Sequence, residues 1–452
     1  MLERFVLWVD DRLGAANFIR HALRKAFPDH WSFMLGEINV YAFLILLGTG
    51  TFLAFFFQPS AEKTIYHGSY ALLNGVAVSQ AYASALRLSF DVRAGLLVRQ
   101  IHHWAALIFV AGIVVHMARV FLTGAFRKPR DINWMVGVAL LAMAMFEGFS
   151  GYSLPDDLLS GTGLHIADSV LLSIPIVGTW ASFLLLGGDF PSAAMFARLF
   201  VAHVFLLPAA IGGAIALHLA ILWRQKHAQF PGPGRTEHNV VGSPLVPTYA
   251  VKSLALLAAT AATVTGLGTF VQINPIWLFG PYHAWQVLTP AQPDWYIGPI
   301  DGALRLSFPW SLRFWGHLIP SPFFPAVLLP GAIFTFLFLW PVIDRMIRRD
   351  PESHHLLDRA RDVPWRMGLG VALTLFAGGF TLAASSDVQA RYLHLSVVTI
   401  TVVDRWVCVL APLAGFFIAR AICIALRDAQ PGPNRVRLFR NANGGFEERP
   451  LP

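Results

Sequence analysis

The stretch RQIHHWAALIFVAGIVVH, residues 99–116, decides the fold because it places histidines in a largely apolar run. His102 and His116 are 14 positions apart. Over that interval an α-helix returns to within about 40° of the same face and rises about 21 Å. The two imidazoles therefore lie on one stripe of a helix, near opposite edges of an apolar layer about 30 Å thick.

A second stretch, RLFVAHVFLLPAAIGGAIALH at residues 198–218, repeats this arrangement. His203 and His218 are 15 positions apart, an interval that corresponds to about 60° and 22 Å in an α-helix. A single histidine inside an apolar helix is often satisfied by hydrogen bonds to its neighbours. Burying an ionisable side chain in an apolar helix costs free energy, so such residues usually have a function. Two matched pairs of histidines therefore favour a ligand that is bound between the two helices.

The composition is that of an integral membrane protein. Hydrophobic residues make up 56% of the 452 positions and charged residues only 13%, whereas a soluble domain has about 25% charged residues. The net charge of +8 does not indicate nucleic-acid binding, because the basic residues flank apolar runs. Two cysteines are too few for a disulfide framework.

Eight segments are long and apolar enough to cross a membrane, which takes about 20 residues. We name them spans A to H, and they cover residues 33–57, 95–122, 133–152, 199–223, 249–272, 322–343, 366–386 and 399–426. Segment 165–187 is also apolar, but Pro175 and several Gly and Ser residues interrupt it. It is therefore predicted to form a surface or re-entrant helical hairpin rather than a ninth span.

The distribution of basic residues supports eight spans. With eight, both termini lie on one side together with loops B–C, D–E and F–G. Most of the 34 Lys and Arg residues lie in or next to these segments. The positive-inside rule places that side in the cytoplasm, so we expect a multi-pass membrane protein with both termini cytoplasmic.

The direction of the spans pairs the histidines. Spans B and D run the same way, so His102 can face His203 near the outer side, and His116 can face His218 near the inner side. We call these the outer pair and the inner pair. Each could supply two axial nitrogens to a haem iron, which predicts two non-covalent b-type haems. Arg99 precedes His102 by three residues, and Arg198 precedes His203 by five, where both could neutralise haem propionates.

Glycines in the other two helices of this bundle support the same reading. Gly36 and Gly50 in span A, and Gly137 and Gly151 in span C, are each 14 positions apart. A glycine lets a flat macrocycle approach the helix backbone, although glycine is also common in membrane helices for packing alone. Two glycine pairs that match the rise between the histidines predict a four-helix dihaem bundle of spans A to D.

The sequence therefore predicts an all-α integral membrane protein in four parts. They are an amphipathic segment at 1–32 on the cytoplasmic face, the dihaem bundle at 33–230, a four-helix C-terminal part at 231–428, and a cytoplasmic tail at 429–452. The polar composition of the tail predicts that it is weakly ordered.

These residues resemble cytochrome b of the cytochrome bc-type complexes over nearly the whole chain. Besides the two histidine stretches, the resemblance includes GYSLP at 151–155 and PDWY at 293–296 in the loop between spans E and F. The run from His102 to Arg130 looks particularly like actinobacterial versions, so the resemblance implies that the membrane is the cell membrane of a bacterium. One departure is that Asp156 and Asp157 follow GYSLP, where many relatives have Trp-Gly.

The resemblance implies a respiratory quinol–cytochrome c reductase that oxidises quinol, menaquinol in these relatives, on the outer side. It passes electrons through two haems to an inner-side quinone and translocates protons. Implied partners are a Rieske iron–sulfur subunit, a c-type cytochrome subunit, a second copy of the chain and a terminal oxidase. In this sequence Asp294 would accept a quinol proton, a task that requires a group in hydrogen-bond reach. Tyr296 would position the quinol hydroxyl, and Pro293 would fix the loop.

Candidates for the inner quinone site are Arg224, His227 and Lys252, although a basic cluster on the cytoplasmic side is equally typical of a lipid-headgroup anchor. Two other functions remain open from the residues alone. The first is a dihaem anchor that links a dehydrogenase or hydrogenase to quinone. The second is a proton-coupled transporter whose histidines form a relay.

Overall fold

The computed structural model describes residues 2–286, 292–429, 436–440 and 446–450. Within these residues eight helices are long and apolar enough to cross a membrane, which confirms the predicted number. In chain order, spans A to H are Leu35–Ala54, Gly95–Leu122, Asp131–Tyr152, Met195–Gln225, Leu245–Phe270, Phe324–Arg348, Pro364–Ala383 and Val397–Asp428.

Spans A to D surround one apolar centre. Its buried side chains come from all four spans and from the E–F loop, and they include Ala42, Phe109, Leu141, Ile211 and Tyr296. Span A packs against span B, span C packs against spans D and F, and spans G and H pack against each other. Large apolar side chains on the outer surfaces of the spans stay exposed, as expected where lipid replaces water as the solvent.

Span D contains a single π-helical turn at Ala202–Leu206. Pro208 follows two residues later and has no backbone N–H, so the regular hydrogen-bond ladder is interrupted there. A π-turn accommodates one extra residue in the helix. The 15 positions from His203 to His218 are therefore equivalent to 14 in a regular helix, which is the spacing found in span B.

The predicted helical hairpin between spans C and D is confirmed. It consists of Leu158–Leu172 and Gly178–Leu186, and both helices are too short to cross a membrane. Asp157 begins the first helix, since its side chain accepts a hydrogen bond from the N–H of Leu159 at 3.2 Å. An acidic side chain at this position stabilises a helix start.

The E–F loop is anchored against span G. Its helix Gly298–Leu306 approaches so closely that a Cβ at Gly302 would lie 1.7 Å from the carbonyl oxygen of Phe380. Only glycine permits such contact. Arg305 of the same helix pairs with Asp301 at 3.0 Å and with Asp387 at 3.1 Å. These contacts fix the loop that carries residues 293–296.

The N-terminal segment is helical, as predicted, in two parts, Leu2–Leu13 and Ala15–Leu23. The remaining helices outside the spans are short: Trp31–Phe33, Ala71–Leu73, Gln80–Phe90, Ile276–Phe279, Ala360–Asp362 and Ser386–Leu393. Short antiparallel pairs join Ala26–Phe27 with Ser243–Pro244, Lys63–Ile65 with Ala77–Ser79, and Leu312–Phe314 with His317–Ile319.

The predicted tail contains one regular element where the structure describes it. Span H continues to Asp428, and Val436–Arg440 pairs with Phe446–Pro450 as an antiparallel hairpin. Residues 430–435, 441–445 and 451–452 lie outside the described residues.

Candidate functional site

The structure brings the four histidines together in the predicted pairs. The ring centres of His102 and His203 are 6.2 Å apart with an angle of 80° between the ring planes. Those of His116 and His218 are 6.5 Å apart with an angle of 71°. The two pairs belong to the same two parallel spans, so the bundle contains two separate sites.

These separations fit a metal ion held between each pair. A metal–imidazole bond is about 2.0–2.1 Å long, and the ring centre lies roughly 1.1 Å beyond the nitrogen. Two imidazoles bound on opposite sides of one metal ion therefore have ring centres about 6.4 Å apart. Both observed values agree with it, so the residues present fit a bis-histidine haem at each site.

The second nitrogen of each outer histidine faces a protein group. His102 Nδ1 lies 2.9 Å from the Thr49 hydroxyl, and His203 Nδ1 lies 3.0 Å from the backbone oxygen of Glu147. A second-nitrogen partner of this kind fixes the ring orientation of a metal-ligating histidine. Within the described residues, Nε2 of neither outer histidine has a hydrogen-bond partner, so Nε2 is free to bind iron.

The predicted glycines face these imidazoles. Each glycine lies against one histidine, and an added Cβ would come nearest to its Cε1 atom. The distances are 3.3 Å for Gly36 and His116, 3.1 Å for Gly50 and His102, 3.9 Å for Gly137 and His218, and 2.3 Å for Gly151 and His203. The glycines thus make room for the histidine rings themselves.

These distances predict unequal effects of adding a methyl group. Gly151→Ala is expected to displace His203 and remove most of the outer haem, because a separation of 2.3 Å is a clash. Gly137→Ala should leave the inner haem in place, because 3.9 Å is an ordinary van der Waals contact. Haem content and reduced-minus-oxidised spectra of the two purified variants check this. Equal losses would contradict the argument.

His103, which adjoins His102, points elsewhere. Its Nε2 lies 3.0 and 3.1 Å from the two carboxylate oxygens of Asp294. The Tyr296 hydroxyl donates to Asp294 Oδ2 at 3.2 Å. Burial, and then the Asp294 charge, raise the pKa of Tyr296 well above its ordinary value, so the phenol stays protonated and donates. The three side chains form one hydrogen-bonded group.

This group and the outer pair share one cavity of about 230 Å³ between the spans and the E–F loop. Its lining is apolar over most of its area, with a few polar groups, as is common for sites of small organic ligands. The polar and aromatic lining side chains include Arg99, His102, His103, Glu147, Tyr152, His203, Asn274, Asp294 and Tyr296. The cavity therefore adjoins both a metal-ligand pair and a carboxylate.

Comparison with known proteins agrees with this geometry. Residues 107–281 match the family described as Cytochrome b(N-terminal)/b6/petB. The chain is 48% identical to the cytochrome bc1 complex cytochrome b subunit of Mycobacterium tuberculosis (strain H37Rv) over 93% of this chain and 76% of that one. The corresponding subunit of Streptomyces coelicolor is 46% identical over 94% and 78%. The chain belongs to the cytochrome b subunits of the bc1 complex.

A solved structure shows the same fold. A chain of a hyperthermophilic respiratory complex III superposes with a TM-score of 0.68 over 93% of this chain and 99% of that chain, at 19% identity. As a cytochrome b, the protein is a multi-pass subunit of an oxidoreductase of the bacterial respiratory chain, in a family that holds b-type haems. A dehydrogenase anchor and a proton-coupled transporter are thereby excluded.

The two arginines predicted for the haem propionates lie in different surroundings. Arg99 lines the cavity of this cytochrome b and donates to the backbone oxygen of Asn274 at 3.1 Å, while its Nε is buried without a partner. Arg198 is not among the cavity residues. It donates instead to the carbonyls of Phe183 and Leu184 at 2.7 and 2.5 Å. Arg198 therefore caps the second helix of the hairpin, and its role beside a haem propionate stays a prediction.

Pro293 directly precedes Asp294 but is not among the described cavity residues. Tyr296, by contrast, packs its hydroxyl against span C, since a Cβ at Gly148 would lie 2.4 Å from it. The sequence therefore identified the E–F loop as part of the site. Because Gly148 has no side chain, Tyr296 of this loop can pack against span C and reach the cavity.

The two acidic residues that follow GYSLP, Asp156 and Asp157, are both buried. Asp156 has a φ of 57°, in the left-handed region that is uncommon outside glycine. Burial raises the pKa of Asp156 to about 7 and that of Asp157 to about 6. A side-chain hydrogen bond with Ser79 partly opposes the shift of Asp156.

Asp156→Asn is expected to make the protein less sensitive to alkaline pH. A folded-state pKa raised above the unfolded value of 3.8 means that stability declines as pH rises from about 4 to about 7. Asparagine does not ionise, so the variant does not lose folding stability over this pH range. Its unfolding temperature should therefore exceed that of the parent by roughly a few degrees at pH 8. At pH 5 the gain should be smaller. Thermal unfolding in detergent at both pH values measures it; a pH-independent difference would contradict the assignment.

Each of the three inner-side candidates has its own surroundings, and no hydrogen bond or ion pair joins them among the described residues. Lys252 pairs with Asp29 of the N-terminal segment at 2.6 Å, and Arg224 is exposed. The ring of His227 lies 4.6 Å from that of Phe27, and its Nδ1 is buried without a partner. Burial, and then nearby cations, lower the pKa of His227 to about 4, so its imidazole is neutral.

Sequence reasoning missed a carboxylate beside the inner-side candidates. Glu37 in span A accepts hydrogen bonds from Tyr41 at 2.9 Å, from Ser253 at 2.6 Å and from Tyr249. Its neighbour Gly36 faces His116, whereas the Glu37 carboxylate itself is hydrogen-bonded to span E through Tyr249 and Ser253. A glutamate near the start of an apolar span was the available signal.

Proposed function

We propose that this cytochrome b oxidises quinol at the outer side and delivers electrons to a quinone at the inner side. The observation that carries the proposal is the shared cavity, in which the outer histidine pair and the group of His103, Asp294 and Tyr296 face the same space. Each haem, when bound, accepts and passes on one electron. Oxidation of one quinol releases two electrons and two protons, so the site also needs a proton acceptor.

Asp294 is the proposed proton acceptor. Its carboxylate lies in the cavity and is held from two sides, by His103 at 3.0 Å and by Tyr296 at 3.2 Å. A positioned base within hydrogen-bond reach of the substrate is what general-base catalysis requires. Arg99 is the proposed group for a haem propionate, because its buried Nε has no partner in the protein.

The inner quinone site is proposed around His227. Its unpartnered Nδ1 beside the ring of Phe27 can hydrogen-bond a quinone carbonyl that stacks on an aromatic surface. Glu37, whose neighbour lies against the inner pair, is a second group that can supply a proton there. Lys252 is committed to Asp29, so we place it at the edge of this site.

Electron transfer from the outer pair to the inner pair would conserve energy. The basic loops favour cytoplasmic termini, and moving one charge across the membrane is worth about 2.3 kcal/mol per 100 mV. Proton release outside and uptake inside would add to that work. The resemblance supports menaquinol as the substrate. It also supports a Rieske subunit, a c-type cytochrome, a homodimer and a terminal oxidase as partners in the bacterial cell membrane.

Spectra and kinetics of the purified complex test the proposal. We expect two distinct b-haem signals in the reduced-minus-oxidised spectrum and menaquinol-dependent reduction of a c-type cytochrome. Subunit analysis of the same preparation should show an iron–sulfur protein. Two haem signals without quinol oxidation would reject the function while retaining the haem sites. Absence of both signals would reject the haem sites as well.

A further inference from the structure

Glu147 places a carboxylate against one of the four haem-ligand histidines. It lies in span C and lines the cavity. Its Oε1 is 3.1 Å from Nδ1 of His203, and its own backbone oxygen is 3.0 Å from the same nitrogen. The Ser150 hydroxyl is a third neighbour of this nitrogen at 3.3 Å. The Nδ1–H of His203 therefore has the backbone oxygen of Glu147 and the Ser150 hydroxyl as hydrogen-bond neighbours, with the Glu147 carboxylate beside them at ion-pair distance.

The other three histidines have no such neighbour among the described residues. His102 Nδ1 meets the neutral hydroxyl of Thr49. Nδ1 of His116 and Nδ1 of His218 are buried without a hydrogen-bond partner. The outer pair thus carries a negative charge beside one ligand, and the inner pair does not.

The position of this carboxylate is costly for the protein. The side chain of Glu147 is 18% exposed, and its Oε2 is buried without a partner. A carboxylate in an apolar membrane span is expensive and marks a functional group by default. A hydrogen bond from His203 to the backbone oxygen alone would orient the imidazole without that expense. Orientation of His203 therefore does not explain why a carboxylate, rather than a neutral side chain, lies at position 147.

We propose that Glu147 is a positioning residue that, through His203, lowers the reduction potential of the outer haem relative to the inner haem. The inference rests on the proposed haem between His102 and His203. A carboxylate 3.1 Å from the second nitrogen of a metal-ligating imidazole makes that ring more basic. Its negative charge also stabilises the oxidised iron, which is one unit more positive, more than the reduced iron. A lower outer potential makes onward transfer to the inner pair favourable.

The experiment is a redox titration of the purified complex with Glu147→Gln. Removing the charge while keeping the backbone acceptor should shift the reduction equilibrium of the outer haem at least tenfold toward the reduced form. For a one-electron couple that is a rise of about 59 mV. The inner haem should keep its potential, so the gap between the two should narrow. Ser150→Ala is the matched control, because it removes a neutral neighbour of the same nitrogen and should cause a smaller shift.

The outcomes separate this inference from the proposed function. A parent protein without two b-haem signals would defeat the proposed function first. An unchanged outer potential in Glu147→Gln, or an equal shift in Ser150→Ala, would overturn the role of the charge alone. Glu147→Ala provides a second test of the same loss. If both Glu147 variants lose the outer haem, the residue is required for haem retention and the inference fails.

Discussion

Replacing His102 with leucine is expected to remove one of the two b-haem signals and to abolish quinol oxidation, while the second signal remains. His102 is half of the outer pair, with its ring centre 6.2 Å from that of His203, and leucine offers no nitrogen to iron. The inner pair lies about 21 Å along the same helix and makes no contact with the substitution. Haem quantification and the reduced-minus-oxidised spectrum measure the loss.

The neighbouring histidine supplies the control for that variant. His103→Leu should retain both haems, because His103 hydrogen-bonds Asp294 rather than facing His203. Quinol oxidation should still fall, because the carboxylate loses one of its two partners. Loss of haem from His103→Leu with retention in His102→Leu would show that the assignment of the two residues is reversed.

The pairing of the histidines could be predicted because it depends on helix periodicity and span direction alone. Both are local properties that 3.6 residues per turn and a membrane of fixed thickness determine. The remaining discrepancy, 14 positions in span B against 15 in span D, came from treating span D as a regular helix. Pro208 and the π-turn at Ala202–Leu206 absorb the extra residue.

Contacts between distant segments could not be predicted in the same way. His103 and Asp294 are 191 positions apart, and nothing in the periodicity of either segment indicates that they meet. The role predicted for Arg198 depends on its distance along the chain to His203, and nothing in that distance indicates that its guanidinium donates to the carbonyls of Phe183 and Leu184. A long, flexible guanidinium binds whichever unsatisfied carbonyls its helix end brings within reach.

Asp294→Asn is expected to slow quinol oxidation by roughly 10²- to 10⁴-fold, the usual contribution of a positioned acid or base, with both haem spectra unchanged. An amide keeps the shape of the side chain and can still accept the hydrogen bond from Tyr296. It cannot take up a proton at neutral pH, so the loss should appear in turnover at saturating quinol rather than in haem binding. Steady-state kinetics with the purified complex measure this.

Two variants show whether the carboxylate itself is responsible. Asp294→Glu keeps the ionisable group and should recover a substantial part of the rate. Asp168→Asn removes another buried carboxylate, one that accepts a hydrogen bond from Ser182 at 2.5 Å in the helical hairpin and does not line the cavity. It should leave turnover close to that of the parent. If Asp294→Asn turned over normally, the proton would have to leave through another cavity group, and Asp294 would serve only to hold His103 and Tyr296 in place.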